Sequence, residues 1–463
     1  MLERKLRRRA RRRRQDDASP VPEAFRLPAP HGQAWTLGGE TPAPILTEGP
    51  TGSVIYVGRA PVFDRRLDVA GFQLLIDEFD TTPRSTPEAT DPSDTDTAPD
   101  PDRSRRLLTR ALLEVGLDSL IGGKLGFVEV PIGVLAEGAH LALPPHRMMF
   151  EVVGDLTHDD LDVLRRVRAD GYRVLVGSPD RSVDPDAAAR LTAGVRFHER
   201  RPDLPDAAAR ALQANPRAQI LIDRLTDDQA VERCRDAGAT WMRGDVLRRA
   251  EQVDEPTIPL HRMAVLQLLS ELERPDVEFD DIDRLISTDL GMSYKVLRMA
   301  NSSYLALERR VERTRDAIVY LGLDTVRAAA ALLALSEVTD HPPEIVQLSL
   351  IRARHCEELM RRQRPDLAHA AFTTGLFSTL DSLLGLSMDQ ILLRLPIADH
   401  IAAALRDRIG TLGLTLDVVV AYERGDLARL NQLGAEPSAT VLAYRQALAW
   451  VNAIVHGLEG PPR

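Results

Sequence analysis

The spacing of apolar residues changes twice along this chain of 463 residues. Residues 1 to 52 are rich in Arg, Pro, Gly and Ala without a sustained period, so we expect a disordered tail that cannot offset the entropy of ordering. Residues 53 to 252 alternate short β-rich runs with helical runs. In residues 256 to 463 every apolar run has helical spacing. The pattern predicts an α/β domain followed by an all-α domain.

The α/β region opens with two β-rich runs, SVIYVGRAPVFD and LDVAGFQLLID, which predict paired strands joined by a polar turn. Residues 78 to 104 are dominated by Pro, Thr and Asp, and we expect a disordered acidic insertion there. Strand-like and helix-like runs then alternate at least six times. Because such alternation implies parallel strands, it predicts a barrel of the (β/α) type.

Charge is distributed unevenly along the chain. The net charge is −10, yet the first fourteen residues contain nine Lys or Arg and one Glu. We expect residues 4 to 14 to make at most a weak, sequence-independent contact with nucleic acid or anionic lipid. No window approaches the ~18 uninterrupted apolar residues of a membrane helix. Cys234 and Cys356 form no CxxC pair, so the sequence predicts a cytoplasmic protein with no disulfide or transmembrane segment.

Two stretches resemble known families. LISTDLGMSYKVLRMANSSYL, followed by RDAIVYLGLDTVRAAAALLAL, resembles the HDOD domain, an HD-related output domain of bacterial signalling proteins, and the match spans residues 259 to 425. VGRAPVFDRRLDVAGFQLLI and LLEVGLDSLIGGKLGFVEVP resemble the divergent EAL domain that is fused upstream of HDOD. Complete EAL domains hydrolyse cyclic di-GMP with divalent metals. The resemblance implies an EAL-type (β/α) barrel followed by an all-helical HDOD domain.

A phosphodiesterase with two metals needs several carboxylates at strand ends to hold two Mg²⁺ or Mn²⁺ ions about 4 Å apart. The first metal-binding Glu of the EAL family matches Gln73, whose amide is a weak ligand. The Asn of the next motif matches Glu129, and the following Glu is kept as Glu151. The late Glu of the family matches Asp223.

The remaining positions of the family motif have lost their chemistry. The paired aspartates match Gly177 and Ser178, which bind metal poorly. The family Lys matches Arg196, which stays protonated and cannot act as a base. Three further positions that usually hold an acid are occupied by Gly154, His198 and Thr226. We therefore expect no catalytic residues and no metal or other cofactor.

The surviving polar residues allow three interpretations. In the first interpretation they form a remnant, metal-free nucleotide pocket, which consists of Gln73, Glu129, Glu151, Arg196 and Asp223. Alternatively, the acids are strand-end residues that form ion pairs with Arg196 or Arg224. In the third interpretation the acids make an altered site for Mg²⁺ or Mn²⁺ with weak phosphodiesterase activity.

The helical domain lacks the chemistry of metal-dependent HD hydrolases, because their His-Asp pair matches Ser378 and Thr379. Three histidines are expected at helix surfaces or caps rather than as ligands, namely His355, His369 and His400. In the signature MANSSYL, Asn301 and Ser302 are expected to cap backbone groups. The alternative makes Asn301, Ser302 and Tyr304 part of a face that binds a partner.

These features favour a non-catalytic signal-transduction adaptor. Its degenerate EAL domain would sense cyclic di-GMP or act as a scaffold, and its HDOD domain would bind another signalling protein. One alternative is a weakly active cyclic di-GMP phosphodiesterase with an altered metal site. A second is a nucleic-acid-associated protein that binds through the basic residues 4 to 14.

Overall fold

The computed structural model describes residues 54–79, 100–154, 156–177, 190–244, 260–274, 277–301, 311–339, 341–395 and 397–459. The predicted tail, with its basic residues 4 to 14, lies outside these ranges. Ser178, Ser302 and Tyr304 also lie outside the described residues.

Eight strands form a closed barrel in which strands that follow each other in sequence are also neighbours in space. Strand β1 runs antiparallel to both of its neighbours, β2 and β8, whereas the other adjacent strands pair in parallel. The strands are β1 Val54–Asp64, β2 Val69–Phe79, β3 Leu125–Pro131, β4 Met148–Val153, β5 Arg173–Gly177, β6 Gly194–His198, β7 Gln219–Asp223 and β8 Trp241–Met242. The predicted barrel is confirmed.

In the described part of the chain, helices accompany the barrel, and no strand follows it. The first group comprises Pro101–Val115, Leu117–Ile121, Ile132–Ala136, Asp160–Ala169, Leu204–Ala214 and Asp228–Asp236. The second group comprises Leu260–Leu272, Phe279–Thr288, Leu290–Ala300, Thr314–Leu321, Leu323–Val338, Pro343–Gln363, Ala368–Phe377, Leu380–Leu384, Met388–Leu392, Asp399–Asp407, Gly410–Arg424, Leu427–Gln432 and Pro437–Glu459. The predicted all-helical second half is confirmed.

One end of the barrel interior is filled by apolar side chains. Near the amino ends of the parallel strands six buried residues pack together, namely Val62, Phe127, Met149, Leu175, Leu221 and Trp241. The rings of Phe127 and Trp241 meet edge to face, with centroids 5.2 Å apart. Since this end is a packed core, polar chemistry inside the barrel is confined to the carboxyl ends of the strands.

The acidic insertion is shorter than the predicted residues 78 to 104. Strand β2 continues to Phe79, and the next helix already begins at Pro101. The Asp100 side chain caps this helix by accepting a hydrogen bond from the backbone N–H of Asp102. Arg103 then forms ion pairs with Asp77 at 2.9 Å and with Glu78 at 3.4 Å, which order both ends of the insertion.

The last helix is capped by an acidic side chain. Pro437–Glu459 begins just after Glu436, whose carboxylate accepts hydrogen bonds from the backbone N–H groups of Ser438 and Ala439. The hydroxyl of Thr440 instead donates to the carbonyl of Glu436. An acidic side chain is favourable at this position because it also faces the positive end of the helix dipole.

Polar contacts connect the barrel region to the helical region. Arg445 of the last helix pairs with Glu114 at 3.3 Å, and Asn452 donates to the carbonyl of Ser119 at 2.9 Å. Lys124 pairs with Glu344 at 2.7 Å. The two halves of the chain therefore share an interface, which we call the joint.

Within the described ranges, no single helix has the length and apolar composition needed to cross a membrane. The helix pair Thr314–Leu321 and Leu323–Glu337, bent by 115°, meets both criteria only when its members are taken together. Cys234 and Cys356 are buried free thiols.

Candidate functional site

Charged side chains gather inside the barrel at the carboxyl ends of its strands. Glu129 of β3 lies beside Glu151 of β4 in the sheet register, and Asp223 of β7 lies beside His198 of β6. Arg196 of β6 lies beside Gly177 of β5, and Gln73 comes from β2. The barrel thus brings together all five residues that the sequence assigned to a remnant pocket. We call them, together with Arg243 and His198, the mouth cluster.

Arg243, directly after β8, is the centre of the mouth cluster. Its guanidinium donates to both carboxylate oxygens of Glu151, from Nη1 at 2.7 Å and from Nη2 at 3.0 Å. The same Nη2 lies 3.1 Å from Glu129 Oε1 and 3.1 Å from Asp223 Oδ2. Only 7% of Arg243 is exposed. One buried cation therefore contacts all three acids of the mouth cluster.

Arg196 supplies a second guanidinium to the same acids. Its Nη1 lies 2.6 Å from Glu129 Oε1 and 3.1 Å from Glu151 Oε2. Gly177 has no side chain, and a Cβ built there would lie 3.6 Å from Arg196 Nη2. The EAL family has an aspartate at this position. In this chain no side chain stands there, and the guanidinium of Arg196 lies next to the space that is left. Gln73 completes the contacts by donating from its amide to Glu129 at 3.0 Å.

The electrostatics of the mouth cluster favour the charged forms of Asp223 and Arg243. Burial alone would raise the pKa of Asp223, but the hydrogen bond with His198 and the charges of Arg243 and Arg196 lower it to about 2. Burial alone would lower the pKa of Arg243, and the neighbouring Glu151 and Glu129 instead raise it. The cluster is therefore a network of ionised groups whose charges offset one another.

This arrangement does not fit a pair of divalent metals. Mg²⁺ and Mn²⁺ require free carboxylate oxygens, whereas Glu151 and Asp223 are buried against guanidinium groups. Among the residues that the structure describes, no group of three or more His, Cys, Asp or Glu side chains is arranged to hold a metal ion. Gly154, where the family has a further acid, has a φ of 91°, which a residue with a side chain rarely adopts.

The sequence interpretation identified one arginine of the network and missed the other. Arg196 forms the ion pairs that the second interpretation described. Arg224, the other proposed partner, has an exposed side chain and a φ of 60°, and Arg243 makes the contacts in its place. The available signal for Arg243 was its position directly after the last strand, at the end of the barrel where functional groups collect.

The positions that correspond to the His-Asp pair of HD hydrolases lie in a helix-to-helix turn. Ser378 accepts a hydrogen bond from Arg352 at 3.2 Å, and its own hydroxyl donates to the carbonyl of Gly375. Arg352 in turn forms a bidentate ion pair with Glu423, with 2.8 Å between Nε and Oε1. A paired arginine thus lies beside this position as well.

The three histidines have different environments. The prediction that His355 lies at a helix surface or cap is wrong, because its side chain is fully buried against the rings of Tyr422 and Tyr444. His369 is half-buried and contacts the carbonyl of Glu273 at 3.1 Å, and His400 is exposed. Burial lowers the pKa of His355 to about 4, so this side chain is neutral near pH 7.

Asn301 closes a loop within the HDOD signature. Its side-chain amide donates to the carbonyls of Leu297 and Val311, and its side-chain oxygen accepts from the N–H of Val311. The residue therefore joins the end of one helix to the start of the next segment. These contacts are the backbone caps that the sequence favoured for Asn301.

Comparison with known proteins finds a domain family that matches part of the helical half and two relatives that match most of the chain. The HDOD domain family matches residues 258–393. The cyclic di-GMP phosphodiesterase CdgJ of Vibrio cholerae is 28% identical over 402 residues, which cover 85% of this chain and 90% of CdgJ. The protein YuxH of Bacillus subtilis is 22% identical over 421 residues, which cover 87% of this chain and 99% of YuxH.

The solved structures that are similar to part of the chain are more distant. The YkuI protein of Bacillus subtilis, which has an EAL domain and was solved with cyclic di-GMP and calcium, is 13% identical and aligns with a TM-score of 0.33, covering 62% of this chain and 74% of YkuI. A standalone EAL protein of Vibrio cholerae O395 is 14% identical with a TM-score of 0.28, covering 41% of this chain and 89% of that protein. The chain consists of a closed eight-stranded barrel followed by a helical region, and residues 258–393 of that region match the HDOD domain family.

Proposed function

We propose that this protein is a non-catalytic adaptor in cyclic di-GMP signalling, whose barrel senses the nucleotide or acts as a scaffold and whose helical domain binds an output protein. The observation that carries this proposal is the position of Arg243, within 3.1 Å of Glu129, Glu151 and Asp223. A metal-dependent phosphodiesterase needs these same carboxylates for its ions.

Displacing Arg243 for a metal would be costly. Its side chain is almost fully buried, and separating it from Glu151 would leave an uncompensated charge inside the barrel. Arg196 adds a second cation that repels a divalent ion from the same place. Gln73, Gly177 and Ser178 occupy positions where the EAL family has acids. Too few free carboxylate oxygens therefore remain for two metals.

Two observations support binding of cyclic di-GMP, namely the similarity to CdgJ and the exposed edge of the mouth cluster. CdgJ, by its name, acts on cyclic di-GMP. The side chains of Glu129 and His198 remain 39% and 43% exposed, so the cluster reaches the surface on one side. A nucleotide could contact this edge without any metal.

The test is a calorimetric titration of the full chain with cyclic di-GMP, with and without Mg²⁺ or Mn²⁺, with hydrolysis followed by chromatography in the same samples. We expect no turnover. Binding without turnover would establish a sensor, and the absence of binding would establish a scaffold. Turnover by wild-type protein that disappears in Glu151→Gln would overturn the proposal.

The main alternative is a residual phosphodiesterase that uses Glu129, Glu151 and Asp223 with Mg²⁺ or Mn²⁺. The name of CdgJ is the observation in its favour. It requires that metal displace Arg243, so Arg243→Met should raise its activity rather than lower it. Nucleic-acid association through residues 4 to 14 stays a weaker alternative, tested by truncating these residues and by raising the salt concentration.

A further inference from the structure

The joint contains a cavity with an unusual arginine. The cavity has a volume of about 70 Å³ and lies between β1, on the barrel side, and the helices Pro343–Gln363, Leu380–Leu384, Gly410–Arg424 and Pro437–Glu459. Arg59 of β1 lines it from the barrel side, and 6% of this residue is exposed. None of the residues of the mouth cluster lines this cavity.

The guanidinium of Arg59 is incompletely satisfied. Nη1 donates to the carbonyl of Leu120 at 2.8 Å, and the guanidinium lies 4.5 Å from the centroid of the Phe72 ring. Nε and Nη2 are shielded from solvent and have no hydrogen-bond partner. A buried charged donor without an acceptor is strongly unfavourable, so an occupant that supplies negative charge would relieve a real cost.

Glu423, which lines this cavity, and Glu344, whose charge acts on Arg59 from a distance, each form an ion pair with another side chain. Glu423 forms a bidentate ion pair with Arg352, with distances of 2.8 and 2.5 Å. Glu344 pairs with Lys124 at 2.7 Å. No carboxylate pairs directly with Arg59 among the described residues, so its charge is offset only at longer range, in a low-dielectric environment where Coulomb attraction is strong.

The remaining walls define what else an occupant would need. The apolar side chains of Ile345, Leu348 and Leu383 line the cavity, together with the hydroxyls of Ser349 and Ser382. A volume of about 70 Å³ exceeds the 10–15 Å³ needed for one water and suits a few non-hydrogen atoms. Phosphate, as a dianion without an apolar part, matches neither the single charge nor these walls.

We propose that the joint cavity binds a small monoanion with an apolar group, for which a short-chain carboxylate is the simplest probe. Such a ligand would contact the barrel through β1 and the helical region through its apolar walls. Because it would bind only when both sides are in place, it would stabilise the joint by mass action. The site would give the protein an input separate from the mouth cluster.

The experiment is a thermal-unfolding titration of the full chain with acetate, butyrate and hexanoate at constant ionic strength, with butyramide as the uncharged control. We expect saturable stabilisation by butyrate and none by butyramide. Arg59→Met should weaken butyrate binding at least tenfold. Arg327→Met is the matched control, because Arg327 is also a buried arginine with an unpartnered Nε but does not line the cavity.

Two results would overturn this site, namely no saturable effect of any carboxylate on the wild-type protein, or equal butyrate binding by Arg59→Met. If Arg59→Met does not fold, Leu348→Phe decides the question, because it reduces the cavity and keeps the charge. Butyrate should then bind at least tenfold more weakly, and unchanged butyrate binding would contradict the proposal. The titration contains no cyclic di-GMP, so its outcome is independent of the proposed adaptor function.

Discussion

Tyr56 of the barrel and Tyr422 of the helical region each donate a hydrogen bond to a backbone carbonyl on the other side of the joint. The hydroxyl of Tyr56 donates to the backbone carbonyl of Tyr422 at 2.6 Å. The hydroxyl of Tyr422 donates to the carbonyl of Val57 at 2.9 Å, and the two ring centroids are 4.7 Å apart. Both residues are fully buried. A Cβ at Gly58 would lie 2.3 Å from the Tyr56 hydroxyl, so only glycine leaves space for this contact.

We predict that these two hydrogen bonds couple the unfolding of the barrel region to the unfolding of the helical region. Tyr422→Phe removes one donor and leaves the carbonyl of Val57 unsatisfied, at a cost of about 1–3 kcal/mol. Trp241 lies inside the barrel and Trp450 in the last helix, so single-tryptophan variants report on each half. Their denaturation curves should coincide in the wild-type background and separate in Tyr422→Phe.

Tyr172→Phe is the matched control for this prediction. The buried hydroxyl of Tyr172 also donates to a backbone carbonyl, that of Leu143 at 2.8 Å, but both residues belong to the barrel region. This variant should lose a similar free energy of unfolding while the Trp241 and Trp450 transitions still coincide. If the two tryptophan transitions also coincide in Tyr422→Phe, the tyrosine hydrogen bonds across the joint are not what couples the two halves.

Removal of Arg243 should destabilise the barrel strongly. Arg243→Met leaves Glu151 buried without its bidentate partner, and we expect a loss of about 3–5 kcal/mol in the free energy of unfolding. Adding Glu151→Gln should recover part of this loss, because the uncompensated charge is then removed. Urea denaturation of the single and double variants measures both effects.

An exposed arginine provides the comparison. Arg165 forms an ion pair with Asp162 on the surface of one helix, and Arg165→Met should cost less than about 1 kcal/mol. Equal losses for Arg243→Met and Arg165→Met would show that the mouth cluster contributes no more than a surface ion pair.

Restoring one acid should not restore a metal site. A Cβ at Gly177 would meet only ordinary contacts, at 3.4 Å from the carbonyl of Val152 and 3.6 Å from Arg196 Nη2. Gly177→Asp should therefore fold, and its carboxylate should pair with Arg196 rather than bind Mn²⁺. Electron paramagnetic resonance of added Mn²⁺ measures the free ion, with Gly177→Asn as the isosteric control. Tight Mn²⁺ binding by the wild-type chain would contradict the ion-pair interpretation of the mouth cluster.

His355 should make the protein less stable in mild acid. Burial lowers its pKa from 6.5 to about 4, so the unfolded chain takes up this proton first as the pH falls. The stabilisation is complete above pH 6.5 and decreases towards pH 4, by at most about 3 kcal/mol. His355→Phe should flatten the pH dependence of urea denaturation in this window, and an unchanged slope would contradict the assignment.

Asp223 should act in a separate and more acidic window. Because its pKa is lowered from 3.8 to about 2, its contribution is present above pH 4 and decreases as the pH falls towards 2, by about 2 kcal/mol. Asp223→Asn should lose this dependence while keeping the one due to His355. Measuring the midpoint of urea denaturation at a series of pH values distinguishes the two groups.

The sequence by itself determined the order of the two halves of the chain, a barrel followed by helices. Alternation of strand-like and helix-like runs is a local pattern, so it predicted the barrel and the helical half without knowledge of distant contacts. Gln73 and Gly177 stand at motif positions where their chemistry is readable from the residue type alone. The predicted bounds of the acidic insertion, residues 78 to 104, were too wide. Arg103 forms ion pairs with Asp77 and Glu78 on the other side of the insertion, and such contacts between distant residues are not visible in the local sequence pattern.

Only the tertiary structure decided which charges meet. Arg243 lies 92 residues from Glu151 in sequence, and the two become partners because the barrel closes and places β8 next to β1. His355 lies on a helix of mixed polarity, and its burial depends on Tyr422 and Tyr444, which come from two other helices. The unsatisfied charge of Arg59 likewise exists only because β1 packs against the helical half. Ion pairing and burial depend on neighbours in space, and sequence periodicity specifies only which face of an element is apolar.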